Sequence, residues 1–176
     1  MSRTALQAVV FALILACSDG GSDGGPSEPG PILGTRDNPA NIGQAVVVET
    51  ESIFGNATMT LTVTEVISGQ EALDIILAAN QFNDVPEPGW EYKMVKVRVM
   101  VLESDEVGFD MNHAVWEAVS QDGVVYNNFV AVSGVEPDLR TTIFEGGTHQ
   151  GFTYFIVREE DHPFALFFDC CWFRLV

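Results

Sequence analysis

Two stretches of the chain alternate polar and apolar residues at every second position, the pattern of a β-strand with one buried face. In residues 57–66, threonines alternate with Met59, Leu61 and Val63. In Trp90–Glu103, valines occupy positions 95, 97, 99 and 101. This second stretch is the clearest strand in the chain, and we expect it to be central to its sheet.

Further strands and one helix follow from turn signals and local composition. Ser68-Gly-Gln-Glu71 has the spacing of a capping box, and apolar residues recur at helical intervals up to Asn80, which predicts one short helix. Asp122-Gly123 predicts a type I′ hairpin turn. Other strands are expected at Gly43–Thr50, His113–Gln121, Val124–Ala131, Arg140–Phe144, Gly151–Val157 and Phe164–Leu175.

About eight short strands and a single helix predict an all-β fold. Helical segments are too few to connect parallel strands. We therefore expect an immunoglobulin-like antiparallel β-sandwich with one short inserted helix. Residues 35–176 have the length of one ordinary domain with a sizeable core.

The first 34 residues have a different composition. Ala8–Ala16 is an apolar run of nine residues that follows Arg3. It is far shorter than the ~20 residues of a membrane-spanning helix, and it fits the core of a signal peptide over residues 1–16. Residues 18–34 hold six Gly, three Pro and no aromatic residue. They predict a flexible tether that reaches about 23 Å as a statistical coil.

Ile14-Leu15-Ala16-Cys17 resembles the lipobox of bacterial lipoproteins. The resemblance implies cleavage before Cys17, a diacylglycerol on its sulfur and a fatty acyl chain such as palmitate on its amine. Residues 17–34 would then be anchor and tether. The domain would lie in the cell envelope, on the outer membrane or on the outer leaflet of the plasma membrane. A plain signal peptide with an incidental cysteine is the alternative interpretation.

The charge of the chain is strongly negative. Eight Lys and Arg stand against 25 Asp and Glu, a formal net charge of -17. Nucleic acid is excluded as a partner because phosphate binding requires a basic face. Acidity of this size is typical of solubility in salty surroundings, or of affinity for divalent cations and basic surfaces.

Several turn segments beside predicted strands resemble those of one group of bacterial envelope domains. The segments are Gly34-Thr-Arg-Asp-Asn-Pro39, Asn80-Gln-Phe-Asn83, Pro86 to Tyr92, Phe144-Glu-Gly-Gly147 and Gly151-Phe-Thr-Tyr-Phe-Ile-Val157. They are similar to immunoglobulin-like lipoprotein domains labelled "telomeric repeat-binding factor", related to the immunoprotective extracellular protein family. The resemblance implies a secreted β-sandwich and brings no established activity and no catalytic residues. Residues 169–176 lie outside it.

No enzyme motif is present in the predicted domain. Over residues 35–176, a Gly-x-Ser-x-Gly elbow, a phosphate loop, a dinucleotide fingerprint and His-Glu-x-x-His are all missing, so we expect a protein that is not an enzyme. His113, His149 and His162 are isolated in sequence, and a surface or turn position is favoured over a shared zinc site.

Three groups of residues are candidates for a site. Around Gly108, carboxylates predict either a calcium site or a solvated acidic loop: Glu103, Asp105, Glu106 and Asp110. Aromatic residues predict either a ligand cleft or core positions: Trp90, Tyr92 and Trp116. Cys170 and Cys171 predict either inert buried thiols or a strained, reducible disulfide. As neighbours on a flat strand they would point to opposite faces.

Together these patterns predict a membrane-anchored lipoprotein that acts as a non-enzymatic binding or interaction module. Its partner would be an envelope protein or a small ligand, besides the membrane itself through Cys17. A small-solute or calcium-binding accessory protein is the alternative. A hydrolase or thiol-redox enzyme is less favoured, because it requires polar groups that converge in a pocket.

Overall fold

The computed structural model describes residues 32–127, 130–168 and 170–176. Cys17, the signal peptide and most of the tether lie outside the described residues. Within these ranges, nine strands form in chain order: β1 Ala45–Ser52, β2 Gly55–Ser68, β3 Trp90–Ser104, β4 Phe109–Met111, β5 Trp116–Val119, β6 Thr141–Ile143, β7 Thr148–Arg158, β8 Phe164–Phe167 and β9 Cys171–Arg174. Helix α1 spans Gly69–Ala79, and a single 3-10 turn covers His113–Val115.

The predicted all-β sandwich with one short helix is confirmed. Strands make up 49% of the structure and helix 10%. One sheet has the order β1-β2-β3-β7, a second has the order β5-β8-β9, and β4 pairs with β6. All of these pairs are antiparallel. Strand β3 lies inside its sheet between β2 and β7, as its pattern predicts.

The main core lies between the four-stranded sheet and the shorter strands. The alternation in β2 turns Met59, Leu61 and Val63 inward, and all three are fully buried. The four valines of β3 meet the same core. Phe109, Trp116, Phe167 and Phe173 close it from the opposite side. Burial of these side chains is the main stabilising term in a fold of this size.

A second, smaller core forms where α1 covers the outer face of the four-stranded sheet. Ala72 and Ile76 of the helix pack against Tyr92 and Met94 of β3. The pleat explains this, because Met94 points away from the face that carries Val95. Among the described residues, no helix is long and apolar enough to cross a membrane.

The structure corrects two predicted strands. The predicted strand Val124–Ala131 is wrong, since Val125 forms only an isolated bridge with Val119 and the described part of the segment is otherwise irregular. The predicted single strand Phe164–Leu175 is a hairpin, β8 and β9, that reverses after Phe167. Phe168 adopts a positive φ of 45° there. The segment contains neither Gly nor Pro, so its sequence carries no strong turn signal between the two strands.

Two local motifs also differ from expectation. The turn at Asp122-Gly123 is not type I′, because Gly123 has a positive φ (83°) and Asp122 does not. The Ser120 carbonyl accepts from the Gly123 amide, and the Ser120 amide donates to the Val124 carbonyl, which is the three-residue loop with a left-handed glycine. Ser68 is the N-cap of α1 but makes no side-chain capping hydrogen bond.

Candidate functional site

An open cavity of about 590 Å³ lies between the loop after β5 and the loop after β7. Trp90, at the start of β3, contributes its apolar ring, and Arg158, at the end of β7, is its register partner. The Arg158 guanidinium lies 4.6 Å from the centre of the Trp90 ring. Tyr126 meets the same ring edge-on at 5.9 Å. The cavity thus combines aromatic surface with a cation.

Asp161 holds the two loops of this cavity together. Its carboxylate accepts hydrogen bonds from the main-chain amide of Gln121 (3.1 Å) and from the Tyr126 hydroxyl (2.5 Å). Burial, together with the hydrogen bond to Asp161, raises the pKa of Tyr126 to about 12, so this hydroxyl remains a donor at neutral pH. Asp122 and Glu160 add acidic groups to the lining.

The three aromatic residues predicted as a cleft do not come together. Trp90 alone of the three lines the cavity. Tyr92 is buried in the small core and donates its hydroxyl to the Asp84 carbonyl. Trp116 is buried in the main core against Phe167. Tyr92 and Trp116 are therefore core residues, which was the alternative to a ligand cleft. The strand pleat places Tyr92 on the face of the sheet opposite to the main core.

Sequence reasoning missed Tyr126, Arg158 and Asp161 as lining residues of this cavity. Arg158 reaches Trp90 only through the pairing of β3 with β7. Asp161 reaches Tyr126 only across two loops. Neither contact has a local signal. The Gly and Asp residues of both loops indicate turns, and turn signals do not show which turns are neighbours in space.

A second polar cluster surrounds His113. Its Nε2 lies 3.1 Å from the Asp138 carboxylate, and its Nδ1 lies 3.3 Å from the Thr153 hydroxyl. His149 donates from Nε2 to the Asp138 main-chain carbonyl at 2.7 Å. Burial lowers the pKa of His113, and the neighbouring Asp138 opposes this shift without cancelling it.

The order hydroxyl, imidazole, carboxylate also occurs in nucleophilic catalysis. Here the hydroxyl belongs to Thr153, which is 1% exposed, so a substrate cannot reach it. Tyr154 packs its ring 5.6 Å from the His113 ring, and burial raises its pKa. The cluster therefore has a structural role: it connects the 3-10 turn to β7 and to the segment that precedes β6.

The carboxylates predicted as a calcium site or an acidic loop are all exposed, on β3, β4 and the loop between them: Glu103, Asp105, Glu106 and Asp110. The Asp105 carboxylate accepts a hydrogen bond from the main-chain amide of Asn56 at 3.4 Å. Asp110 accepts from the Thr142 hydroxyl. Across the described ranges, no three His, Cys, Asp or Glu side chains are grouped as metal ligands would be.

The two cysteines lie at the β8–β9 turn, so the expectation that they point to opposite faces of a flat strand is wrong. Their sulfurs are 3.0 Å apart, within hydrogen-bond distance of each other. Cys170 donates to the Phe167 carbonyl (3.2 Å), which leaves Cys171 as the donor between the sulfurs. That hydrogen bond and burial raise the pKa of Cys171.

Three loops meet at one end of the sandwich and expose apolar side chains there. They are the β1–β2 turn, the β3–β4 loop and the β6–β7 loop. Their most exposed apolar residues are Ile53 (95% exposed), Val107 (71%) and Phe144 (57%). We refer to these three residues as the apolar tip. Sequence reasoning missed it, although each residue lies beside turn-forming residues.

Close backbone contacts hold the three loops together. The Asp110 amide donates to the Phe54 carbonyl at 2.8 Å. A Cβ at Gly108 would lie 3.0 Å from the Ile143 carbonyl oxygen and 3.0 Å from the Phe144 ring. With φ at +75°, this position also favours glycine for its backbone conformation. The apolar tip therefore rests on packed loops.

Comparisons with known proteins add little to this picture. No protein-family model matches the chain, and no curated protein matches it. A solved structure of a conserved hypothetical protein from Bacillus anthracis is similar, with a TM-score of 0.43 and 13% identity. The match covers 75% of this chain and 94% of that one.

Proposed function

We propose that this protein is a lipid-anchored lipoprotein of the cell envelope that acts as a non-enzymatic binding module. Cys17 carries the lipid, residues 18–34 form the tether, and the β-sandwich makes the contact with its partner. The resemblance of residues 14–17 to a lipobox supports the anchor. The resemblance of the domain to immunoglobulin-like envelope domains supports the location.

The observation that carries the binding role is the apolar tip. Single exposed apolar residues are normal on a protein surface, whereas a contiguous apolar patch marks a contact surface. Ile53, Val107 and Phe144 come from three different loops that contact one another. Loops at the end of a rigid sandwich are also where such domains commonly bind their partners.

The polar clusters fit a binding module better than an enzyme. The most enzyme-like group, His113 with Asp138 and Thr153, is built around a hydroxyl that solvent does not reach. The thiol of Cys171 has a raised pKa, which disfavours the thiolate needed for redox chemistry.

The test is cross-linking in intact bacterial cells that express the full chain, with Cys17→Ala as the unanchored control. The anchored chain is expected in the membrane fraction with one specific cross-linked protein, and the control is expected to lack both. Membrane association of Cys17→Ala equal to the parent would refute the lipid anchor. Absence of any specific cross-linked product would refute the protein-binding role.

The Trp90 cavity favours a second candidate function, the binding of a small solute. Its aromatic rings offer an apolar surface, and Arg158, Asp122 and Glu160 offer polar contacts around it. Solute binding would stabilise the fold and raise the melting temperature. A screen of small sugars and amino acids by thermal shift tests this, with Trp90→Ala as the control that should lose the response.

Calcium binding is the other form of this second candidate. The exposed carboxylates near Gly108 would supply oxygen ligands. A calcium-dependent rise in melting temperature is expected if they bind the ion, and Asp105→Asn with Asp110→Asn should abolish it. Identical melting in calcium and in chelator would remove this form.

A further inference from the structure

The three segments that carry the apolar tip hold acidic side chains and no basic ones. The three segments that form this end of the sandwich, residues 51–58, 101–112 and 141–148, contain no Lys and no Arg. They carry six carboxylates, and all six are exposed: Glu51, Glu103, Asp105, Glu106, Asp110 and Glu145. Exposed apolar side chains with polar residues beside them are typical of protein contact surfaces, whose buried centre is more apolar than their edge.

The negative charge of these segments distinguishes between three possible binding partners: an anionic lipid surface, a second copy of the chain and another protein. Anionic lipid headgroups would be repelled by six carboxylates. A second copy of the chain, related by two-fold symmetry, would place the same acidic rim against itself. A protein whose apolar patch is rimmed with Lys and Arg would gain both burial and charge attraction.

The residue at which the predicted tether ends is separated from the apolar tip. Gly34 lies near the start of the described residues, and its Cα lies beside Val46. Val46 precedes Ser52, the last residue of β1, by six positions. At about 3.4 Å per residue this is roughly 20 Å of strand.

Resting on the proposed binding role, we propose that the apolar tip, with its rim of carboxylates, is the docking surface for a basic-rimmed protein. Ile53, Val107 and Phe144 enter the apolar patch of the partner. The surrounding carboxylates pair with Lys and Arg at its edge, and they reject acidic surfaces.

The test uses the full-length chain in detergent and a fluorescent amphipathic peptide of alternating Lys and Leu as the probe. The same peptide with Glu in place of Lys is the charge control. The Lys peptide is expected to bind at least tenfold more tightly than the Glu peptide. Its affinity is expected to fall with salt, because the Debye length shrinks from about 10 Å at 0.1 M to about 3 Å at 1 M.

Two matched variants locate the contact. The tip variant replaces Ile53, Val107 and Phe144 by Ser, and the control variant replaces Phe82 and Val85, which are exposed outside the three tip segments, by Ser. All of these positions are exposed, so both variants are expected to melt close to the parent. The tip variant is expected to bind the Lys peptide at least tenfold more weakly, and the control variant within twofold of the parent.

The outcomes separate this proposal from the proposed function. Equal losses in the two variants, or equal affinity for the two peptides, would overturn the docking surface. Tip-dependent binding to anionic vesicles, or a dimer of the parent that the tip variant abolishes, would also overturn it in favour of lipid or a second copy. If the tip variant still forms the cross-linked product in cells, the docking surface fails while the binding module stands.

Discussion

Gly151 on β7 is the position where one added methyl group tests the packing behind the His113 cluster. A Cβ there would lie 2.5 Å from the Asp138 carbonyl carbon and 2.5 Å from the Leu139 Cα. Both are backbone atoms, so no side-chain rotation relieves the contact. Gly151→Ala therefore has to push the segment before β6 away from β7.

The magnitude follows from ordinary contact distances. Carbon atoms pack at about 3.5–4.0 Å, so the segment has to move by roughly 1 Å. Overpacking of this kind costs about 1–3 kcal/mol. For a domain of this length, each kcal/mol lowers the melting temperature by roughly 3–4 °C. We expect Gly151→Ala to melt about 3–12 °C below the parent.

Two measurements check this. Thermal unfolding gives the loss of stability, and NMR titration of the His113 ring gives its pKa. Displacement of Asp138 removes an interaction that raises this pKa, so the His113 pKa should fall further in Gly151→Ala. Gly146→Ala is the control, since a Cβ there meets no atom within 4 Å and only its positive φ costs stability.

The two variants separate packing from backbone conformation. Gly146→Ala should lose about 1–2 kcal/mol for its left-handed conformation and leave the His113 pKa unchanged. A Gly151→Ala protein that melts with the parent and keeps its His113 pKa would show that β7 and Asp138 do not pack as described.

Three further predictions follow from buried polar groups. The folded-state pKa of His113 lies below its unfolded value of 6.5, so its contribution to stability is present above pH 6.5 and is lost as the pH falls below it; His113→Gln should flatten that part of a stability-against-pH curve. In the reduced Cys17→Ala protein at neutral pH, a thiol reagent should modify Cys170 and reach the buried Cys171 only on unfolding; two fast thiols, or none, would contradict this. Trp116→Ala should lower the free energy of unfolding in chemical denaturation by about 3–5 kcal/mol, because it empties a core position. Trp116→Phe should lower it by less than about 1.5 kcal/mol. Trp116 Nε1 is buried without a hydrogen-bond partner among the described residues, so Trp116→Phe also removes an unsatisfied donor.

The strands that could be predicted from the sequence are those with one buried and one exposed face. In β2 and β3, burial of one face imposes a period of two on the residues themselves, so Leu61 and Val97 reveal their orientation locally. The short strand β4 was not predicted, because three residues are too few for a period. The segment after Val124 has the composition of a strand, but its apolar residues find no partner strand beyond the bridge at Val125.

Candidate site residues could be predicted from the sequence only where polar or aromatic residues are close together along the chain. The carboxylates around Gly108 are neighbours in the chain, and they do share one exposed region. Whether they bind calcium stays a prediction. Trp90 was predicted as a cleft residue, but Arg158, which covers its ring, is 68 positions away in the sequence and reaches it through strand pairing.

The sequence by itself determined the β-rich class, one short helix and the strong net negative charge, because each depends on composition or on short-range periodicity. Only the tertiary structure decided which loops are neighbours. It placed Ile53, Val107 and Phe144 at one end, reversed the chain between Phe167 and Cys171, and surrounded His113 with groups from β7 and from the segment before β6. These contacts depend on the pairing of distant strands, and no local pattern specifies that pairing.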